Sequence, residues 1–372
     1  MKKFLSILTL CALIGAMLLS VSSCGERNDT IDTALLKGEY NQDLAGTTLK
    51  VYNWGEYISD GTEGSLDVNA AFENLTGIEV VYLTYDDNET MYSDLVSGAN
   101  YYDIIIPSDY MIERLIREDR LETVDVELLS NYQYIDEQYK NLYFDPNNEY
   151  SVPYNVGMVG LIYNTTMVEG TIDSWEALWD ETYSGNILTF NNPRDAFALA
   201  QLILGQDVNT TNHADWDAAA ELLKEQSSVL QARVMDEVFN KMEGGNAALA
   251  PYYAGDYLLM KENNPDLAFV YPKEGVNIFC DSVCIPKGCQ NYEAAMLYMN
   301  FLMEPEIALA NAEAICYASP NTEVVSHEDY TYKDNEILYP SEENMPKVQW
   351  FHDLDAETVE YYEALWIEVT NS

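Results

Sequence analysis

The chain has 372 residues, with 18 Lys+Arg against 63 Asp+Glu and a formal charge of −45 at pH 7. That balance excludes a nucleic-acid binder, which needs a basic face to displace counterions from phosphates, and it excludes charge-driven adsorption to an anionic membrane. At 48% hydrophobic and 12% aromatic, with 29 tyrosines, the chain can fill a sizeable core; its length fits two domains and its acidity favours cationic partners.

Lys2 and Lys3 precede an apolar run from Phe4 to Leu19, with no acidic residue before Glu26. This is a charged n-region followed by an h-region, too short for a confident transmembrane span. It ends in Val21-Ser22-Ser23-Cys24, which resembles the lipobox of bacterial lipoproteins. Residues 1–23 are then a signal peptide, Cys24 carries lipid, and 24–47, polar and without a sustained period, reads as a tether. The alternative is an ordinary signal peptide with an incidental cysteine. Four further cysteines follow, Cys280, Cys284, Cys289 and Cys316, with no CxxC and with His213, His327 and His352 distant in sequence. They read as small buried hydrophobes or as one disulfide rather than a zinc site.

Thr48–Asn53 predicts a strand, and Ser65–Thr76 a helix capped by Ser65 and stopped at Gly77. Glu79–Leu83 is a strand, Glu89–Val96 a helix capped by Asn88, Asp103–Ile106 an apolar strand closed by Pro107, and Tyr110–Arg117 a helix. Strand-helix alternation of this kind calls for a parallel sheet with right-handed crossovers. Residues 154–279 predict a second α/β unit. Its helical stretches are Ser174–Trp179, Asp215–Glu225 and Val234–Glu243, and its short strands are Ala248–Ala250 and Ala268–Tyr271, with Ser282–Ile285 just beyond. Glu293–Phe301, Pro305–Ala314 and Ala356–Glu368 complete the helices.

Ligands of open α/β sheets sit beyond the carboxyl ends of the strands. Here those ends deliver Trp54, Gly55, Glu56 and Tyr57, then Tyr85 and Asp86, then Ser108, Asp109 and Tyr110. Core packing accounts for any one of these rings, but less well for three strand ends together. No nucleophile-elbow, zincin or phosphate-loop motif occurs, and Asp86-Asp87-Asn88-Glu89 lacks the spacing of a calcium loop. Carboxylates beside aromatics fit two classes. A glycoside hydrolase sets two carboxylates across a stacked sugar; a cation receptor pairs ammonium groups and covers the alkyl chain with rings. Composition favours the receptor without deciding.

Several ordered segments carry a resemblance. They are Tyr52-Asn53-Trp54-Gly55-Glu56-Tyr57, Thr76-Gly77-Ile78-Glu79-Val80, Asn88-Glu89-Thr90-Met91-Tyr92, Pro107-Ser108 and Phe144-Asp145-Pro146-Asn147-Asn148. Further along come Tyr271-Pro272-Lys273-Glu274-Gly275, Asp281-Ser282, Asn300-Phe301-Leu302 and Ser319-Pro320-Asn321. Together, from about Thr48 to Glu368, they resemble the spermidine/putrescine-binding proteins of bacterial polyamine ABC importers. The resemblance implies a type II periplasmic-binding-protein fold: two α/β lobes, 48–153 plus 281–325 and 154–280 plus 326–372, hinged around a ligand cleft. It implies a monomer without catalysis or cofactor, exported and held at the outer face of the cytoplasmic membrane through Cys24, which hands its ligand to a permease.

Carried over by position, the resemblance assigns the ligand pocket to Trp54, Glu56, Tyr57, Ser108, Tyr110, Asp195, Asp281 and Tyr317. Tyr252 and Phe279 stand where relatives often have Trp. Asn192 replaces one acid, Asp256 resembles the carboxylate of putrescine-preferring relatives, and a Gln expected near Trp350 is displaced to Gln349. The pocket is thus mixed between spermidine-type and putrescine-type patterns. The alternative ligand is another organic cation.

Overall fold

The computed structural model describes residues 28–372; the expected signal peptide and Cys24 lie outside the described residues. No described helix is long and apolar enough to cross a membrane.

β1 (Thr48–Trp54) lies at the centre of the first half, with β2 (Glu79–Tyr85) and β3 (Ile104–Ile105) both parallel to it. The connecting helix Val68–Thr76 starts two residues later than Ser65 predicts. Asp67 is the cap, its carboxylate accepting the Ala70 N–H at 2.9 Å, and Gly77 closes the helix at φ +71°. A carboxylate in the Ser-Leu-Asp run outcompetes the hydroxyl because it also meets the positive end of the helix dipole. For the same reason Asp87, not Asn88, caps helix Asn88–Ser97, accepting the Thr90 N–H at 2.7 Å. Asn88 is freed to accept the Ser108 N–H at 3.2 Å, so the second and third strand-end loops are tied together.

Two long strands that sequence patterning does not delimit hold the molecule together. β4 (Ser151–Asn164) was not predicted, and only the end of β9 (Val276–Cys284) was. They pair antiparallel from Ser151↔Cys284 to Met158↔Ile278, and β3 meets β9 at Ile105↔Cys284. Beyond Met158, β4 leaves β9 and pairs antiparallel with β7 (Leu249–Tyr253) and β8 (Leu267–Val270). β5 (Ile187–Phe190), β6 (Leu230–Val234) and β7 form the parallel part of the second half, and β10 (Val348–Trp350) runs beside β9. Val234 therefore ends a strand, and its helix begins only at Glu237. Ser174–Trp179 is a 3₁₀ turn from Trp175 rather than an α-helix.

Each half has its own apolar core. Leu49, Val51, Phe72, Ile104 and Phe301 are fully buried in the first, and Trp175, Phe190, Phe197 and Trp216 in the second. The C-terminal helix Ala356–Thr370 closes the second core by stacking Tyr362 on Trp216, with ring centroids 4.8 Å apart.

The expected tether is not free over its described part. Asn28 carbonyl accepts the Asp67 N–H at 2.7 Å. The fully buried Glu304 carboxylate accepts from Lys37 N–H (2.8 Å), Gly38 N–H (2.6 Å) and the Tyr40 hydroxyl (2.8 Å). Ile31, Tyr40 and Leu44 pack on the first core. Residues 28–47 are a strap on the body.

Candidate ligand-binding cleft

The loops after β1, β2 and β3 and the face of β9 form one wall of a cavity with about 780 Å³ of space; the starts of helices Pro193–Ile203, Glu237–Glu243 and Ala254–Asn263 form the other. All twelve residues singled out from the sequence line it: Trp54, Glu56, Tyr57, Ser108, Tyr110, Asn192, Asp195, Tyr252, Asp256, Phe279, Asp281 and Tyr317.

Asp281 projects from β9 and is 4% exposed. Its Oδ2 accepts the Tyr57 hydroxyl at 2.7 Å, while Oδ1 is buried with no protein partner. Burial pushes its pKa up to about 6 against the opposing pull of the Tyr57 and Ser108 hydroxyls, and Asp195 adds like-charge repulsion. Asp256, at the start of its helix, accepts the Tyr317 hydroxyl at 3.0 Å, and burial raises its pKa well above the carboxylate range. Asp195 accepts from Tyr253 hydroxyl and Asn192 Nδ2, both at 2.8 Å, and is raised by burial. Glu89 accepts the Tyr110 hydroxyl at 3.0 Å and is pushed by burial up to about 7. A buried carboxylate whose charge is unmatched titrates upward in this way, and an ammonium placed beside it would reverse the shift.

Rings line the space between these acids. Tyr57 and Tyr317 meet edge to face at 4.9 Å, Tyr253 and Phe279 at 5.5 Å, and Tyr252 and Tyr253 lie 4.9 Å apart. Trp54 turns its indole N–H to the Ile106 carbonyl at 2.9 Å, which fixes its ring at the cavity wall. Among the described residues the lining holds one cationic side chain, Arg194, whose hydrogen bonds go to the Val208 carbonyl, Asn209 Oδ1 and the His352 carbonyl rather than to the carboxylates.

Sequence reasoning missed Tyr253, Asp236, Glu89 and Phe351 as lining residues. The displaced Gln349 does not reach the cavity: its Oε1 accepts the Val208 N–H at 3.2 Å, and Phe351 occupies the wall. The four cysteines are free thiols, three buried and Cys289 half-buried. Among the described residues no group of three or more His, Cys, Asp or Glu side chains could hold a metal ion.

The model of the bacterial extracellular solute-binding proteins matches residues 68–339. The chain is 34% identical over 325 residues to the spermidine/putrescine-binding periplasmic protein of Salmonella typhimurium, covering 86% of this chain and 91% of that one. A Listeria monocytogenes structure assigned to a spermidine/putrescine ABC transporter superposes with a TM-score of 0.83 at 34% identity, covering 87% of this chain and 99% of the other. A Treponema pallidum lipoprotein superposes with a TM-score of 0.74 at 26% identity over 87% of this chain and 99% of its own. The glycosidase alternative falls with these comparisons, because the relatives are binding proteins.

Proposed function

The chain belongs to the bacterial extracellular solute-binding proteins, and from that premise we propose that it captures a polyamine, spermidine or putrescine, and delivers it to the membrane permease of an ABC importer. The observation that carries this reading is the buried, unpartnered Asp281 Oδ1 in a ring-lined cavity whose only cation is engaged elsewhere. A cationic ligand completes such a site by supplying both the missing donor and the missing countercharge. Carboxylates at the ends match ammonium groups that are costly to desolvate alone. Tyrosine and phenylalanine faces between them take the methylenes at about 25 cal/mol per Å² buried. Micromolar affinity needs about −8 kcal/mol net, within reach of two or three matched charges and an aromatic sleeve.

On this reading the ligand contacts come from the twelve residues named above. The lobes are 48–153 with 281–325 and 154–280 with 326–372, and the shared pairing of β4 with β9 supports a hinge between them. Cys24 carries the lipid, supported by the lipobox-like Val21-Ser22-Ser23-Cys24 and by the Treponema lipoprotein among the relatives. The working unit is a monomer.

Calorimetry at low and moderate salt against putrescine, spermidine, amino acids and oligosaccharides tests the reading. Saturable heat is expected with one or both polyamines only. No heat with either polyamine ends it.

A further inference from the structure

We propose that residues 28–47 are a strap that sets the height and orientation of the protein on the membrane, holding the edge formed by Asn28, the Thr62–Gly64 turn and the start of helix Val68–Thr76 toward the bilayer. The inference rests on the lipid anchor at Cys24 proposed above.

The argument starts from chain length. If 24–47 were a free leash, its 23 steps from Cys24 to Thr47 would reach about 80 Å fully extended, at roughly 3.5 Å per residue. The body would then sample every orientation. The strap is instead docked already at Asn28, the first described residue, whose carbonyl accepts the Asp67 N–H at 2.7 Å and whose Nδ2 donates to the Gly64 carbonyl at 3.2 Å. Next along the strap, Asn74 Nδ2 donates to the Asp29 carbonyl at 2.9 Å. Four steps then remain between Cys24 and the body, a reach of at most about 14 Å.

The far end of the strap is held by a buried charge. Glu304 has no exposed surface and its carboxylate accepts three donors from the strap. Tyr40 hydroxyl also receives Asn131 Nδ2 and Asn300 Nδ2, each at 3.3 Å. Gly38 fits because it lacks a side chain: a Cβ there would lie 2.8 Å from Glu304 Oε1 and 2.9 Å from both Asn300 Nδ2 and Tyr40 hydroxyl. A buried carboxylate is expensive unless hydrogen-bonded, so undocking the strap would leave Glu304 unmatched. Electrostatics explains why a strap is needed. Asp29, Asp32, Asp60, Glu63 and Glu73 crowd this region of the sequence, and an anionic leaflet repels them within a Debye length of about 8 Å. Charge would push the edge away; the short docked link keeps it near.

The test uses the full lipidated chain on phosphatidylcholine/phosphatidylglycerol vesicles. A fluorophore on Glu63→Cys reports energy transfer to acceptor lipids. The Gly38→Asp variant, which also carries Asn28→Ala and Asn74→Ala to remove the side-chain bonds at the strap's near end, sets a carboxylate against Glu304 and releases the strap; a twelve-residue Gly/Ser insertion between Cys24 and Asn28 lengthens the link with the strap still docked. The expected result is strong transfer in the parent and a loss of at least half in both variants. Tryptic cleavage at Lys37, the strap's only lysine, should accelerate in the Gly38→Asp variant alone. Calorimetric affinity for polyamine should not change. Parent transfer as low as that of the insertion variant overturns the proposal, as does unchanged transfer in the Gly38→Asp variant once Lys37 has become cleavable. Cys24→Ser separates the premises: a variant that stays on the vesicles removes the lipid anchor, whatever the strap does.

Discussion

Asp281→Asn should raise the stability of the ligand-free protein while lowering its affinity for polyamine, two effects of opposite sign from one oxygen-to-nitrogen change. The Asp281 pKa of about 6 stands about two units above its ordinary 3.8, and each unit is about 1.4 kcal/mol, so ionising this carboxylate in the empty cleft costs about 3 kcal/mol. The sign follows from linkage. The folded state holds the proton more tightly than the unfolded one, so stability is greatest below pH 4, declines between about 4 and 6, and stays reduced above. Asn removes that penalty and still accepts from Tyr57, but its amide replaces the unpartnered Oδ1 and adds an unmatched buried donor at about 1–3 kcal/mol. A net gain of about 1 kcal/mol at pH 7 follows, with a flatter pH profile between 4 and 6. Binding moves the other way. Losing one member of a buried ion pair costs about 3–5 kcal/mol, so affinity should fall by about 150-fold, and by roughly a thousandfold or more at full desolvation. In the parent, affinity should also fall as pH drops below about 6, because Asp281 must release its proton to pair the amine. Asp195, the charged neighbour facing it, sharpens that fall, and Tyr57 and Ser108 soften it. Thermal melts of the empty protein and calorimetry from pH 5 to 8 read both effects. A variant that melts lower than the parent and binds within threefold of it would make Asp281 a structural residue and refute the reasoning.

Asn192→Asp restores the acid that the resemblance leads one to expect but sets it against Asp195 Oδ2, now 2.8 Å from Asn192 Nδ2. The empty protein should lose about 1–3 kcal/mol, recovered when polyamine is added, as melts with and without ligand would show. Gly157→Ala puts a methyl into the Phe279 ring, which lies against Gly157 on the paired strand. Overpacking of this kind costs about 1–3 kcal/mol, and because Phe279 lines the cleft, affinity should fall together with the denaturation midpoint. Burial raises the Cys280 and Cys284 thiols, and Cys289 is pushed up to about 12. The native protein should therefore resist iodoacetamide at pH 8 and react fully once unfolded, as mass spectrometry would count.

The cleft was more legible in the sequence than the strands that hold it. Strand ends expose their aromatics and acids in loops, where chemistry rather than packing explains them, and so Trp54, Tyr57, Ser108 and Tyr110 stood out together. β4 gave no such signal. Nearly all of its residues are buried on both faces, so the polar-apolar alternation that marks a strand is missing. Its Pro153 and the glycines 157 and 160 also read as breakers. Those glycines are there because the Phe279 and Phe269 rings lie against their backbone, a contact between distant segments that no local pattern encodes. Asp236 and Phe351 were hidden for a related reason: their place in the wall depends on how the second half packs. The strap was misread because Lys37, Gly38 and Tyr40 are ordinary polar-loop residues until Glu304, more than 260 positions away, completes their hydrogen bonds.

On the proposed reading, the same unmatched charge that makes the cleft receptive also makes closure depend on ligand. Asp281 alone, at about 3 kcal/mol, corresponds to a factor of about 150 against an empty cleft that keeps it buried and ionised. Asp256 and Asp195 are raised in the same direction, each by its own burial. A monoamine relieves one of these carboxylates and leaves the others penalised. A chain with two or more ammonium groups relieves the penalty near Asp281 and near Asp256 together, so the gain on closing grows faster than the number of direct contacts. Discrimination between amines then comes from the cost of the carboxylates left uncovered, and length preference is set by the separation of the two acids along the ring-lined channel. Spermidine and putrescine differ in that span and in one secondary amine. On this reading the mixed acid pattern, with Asn192 in place of one carboxylate and bonded to Asp195 at 2.8 Å, makes that pair the place where the two ligands are told apart.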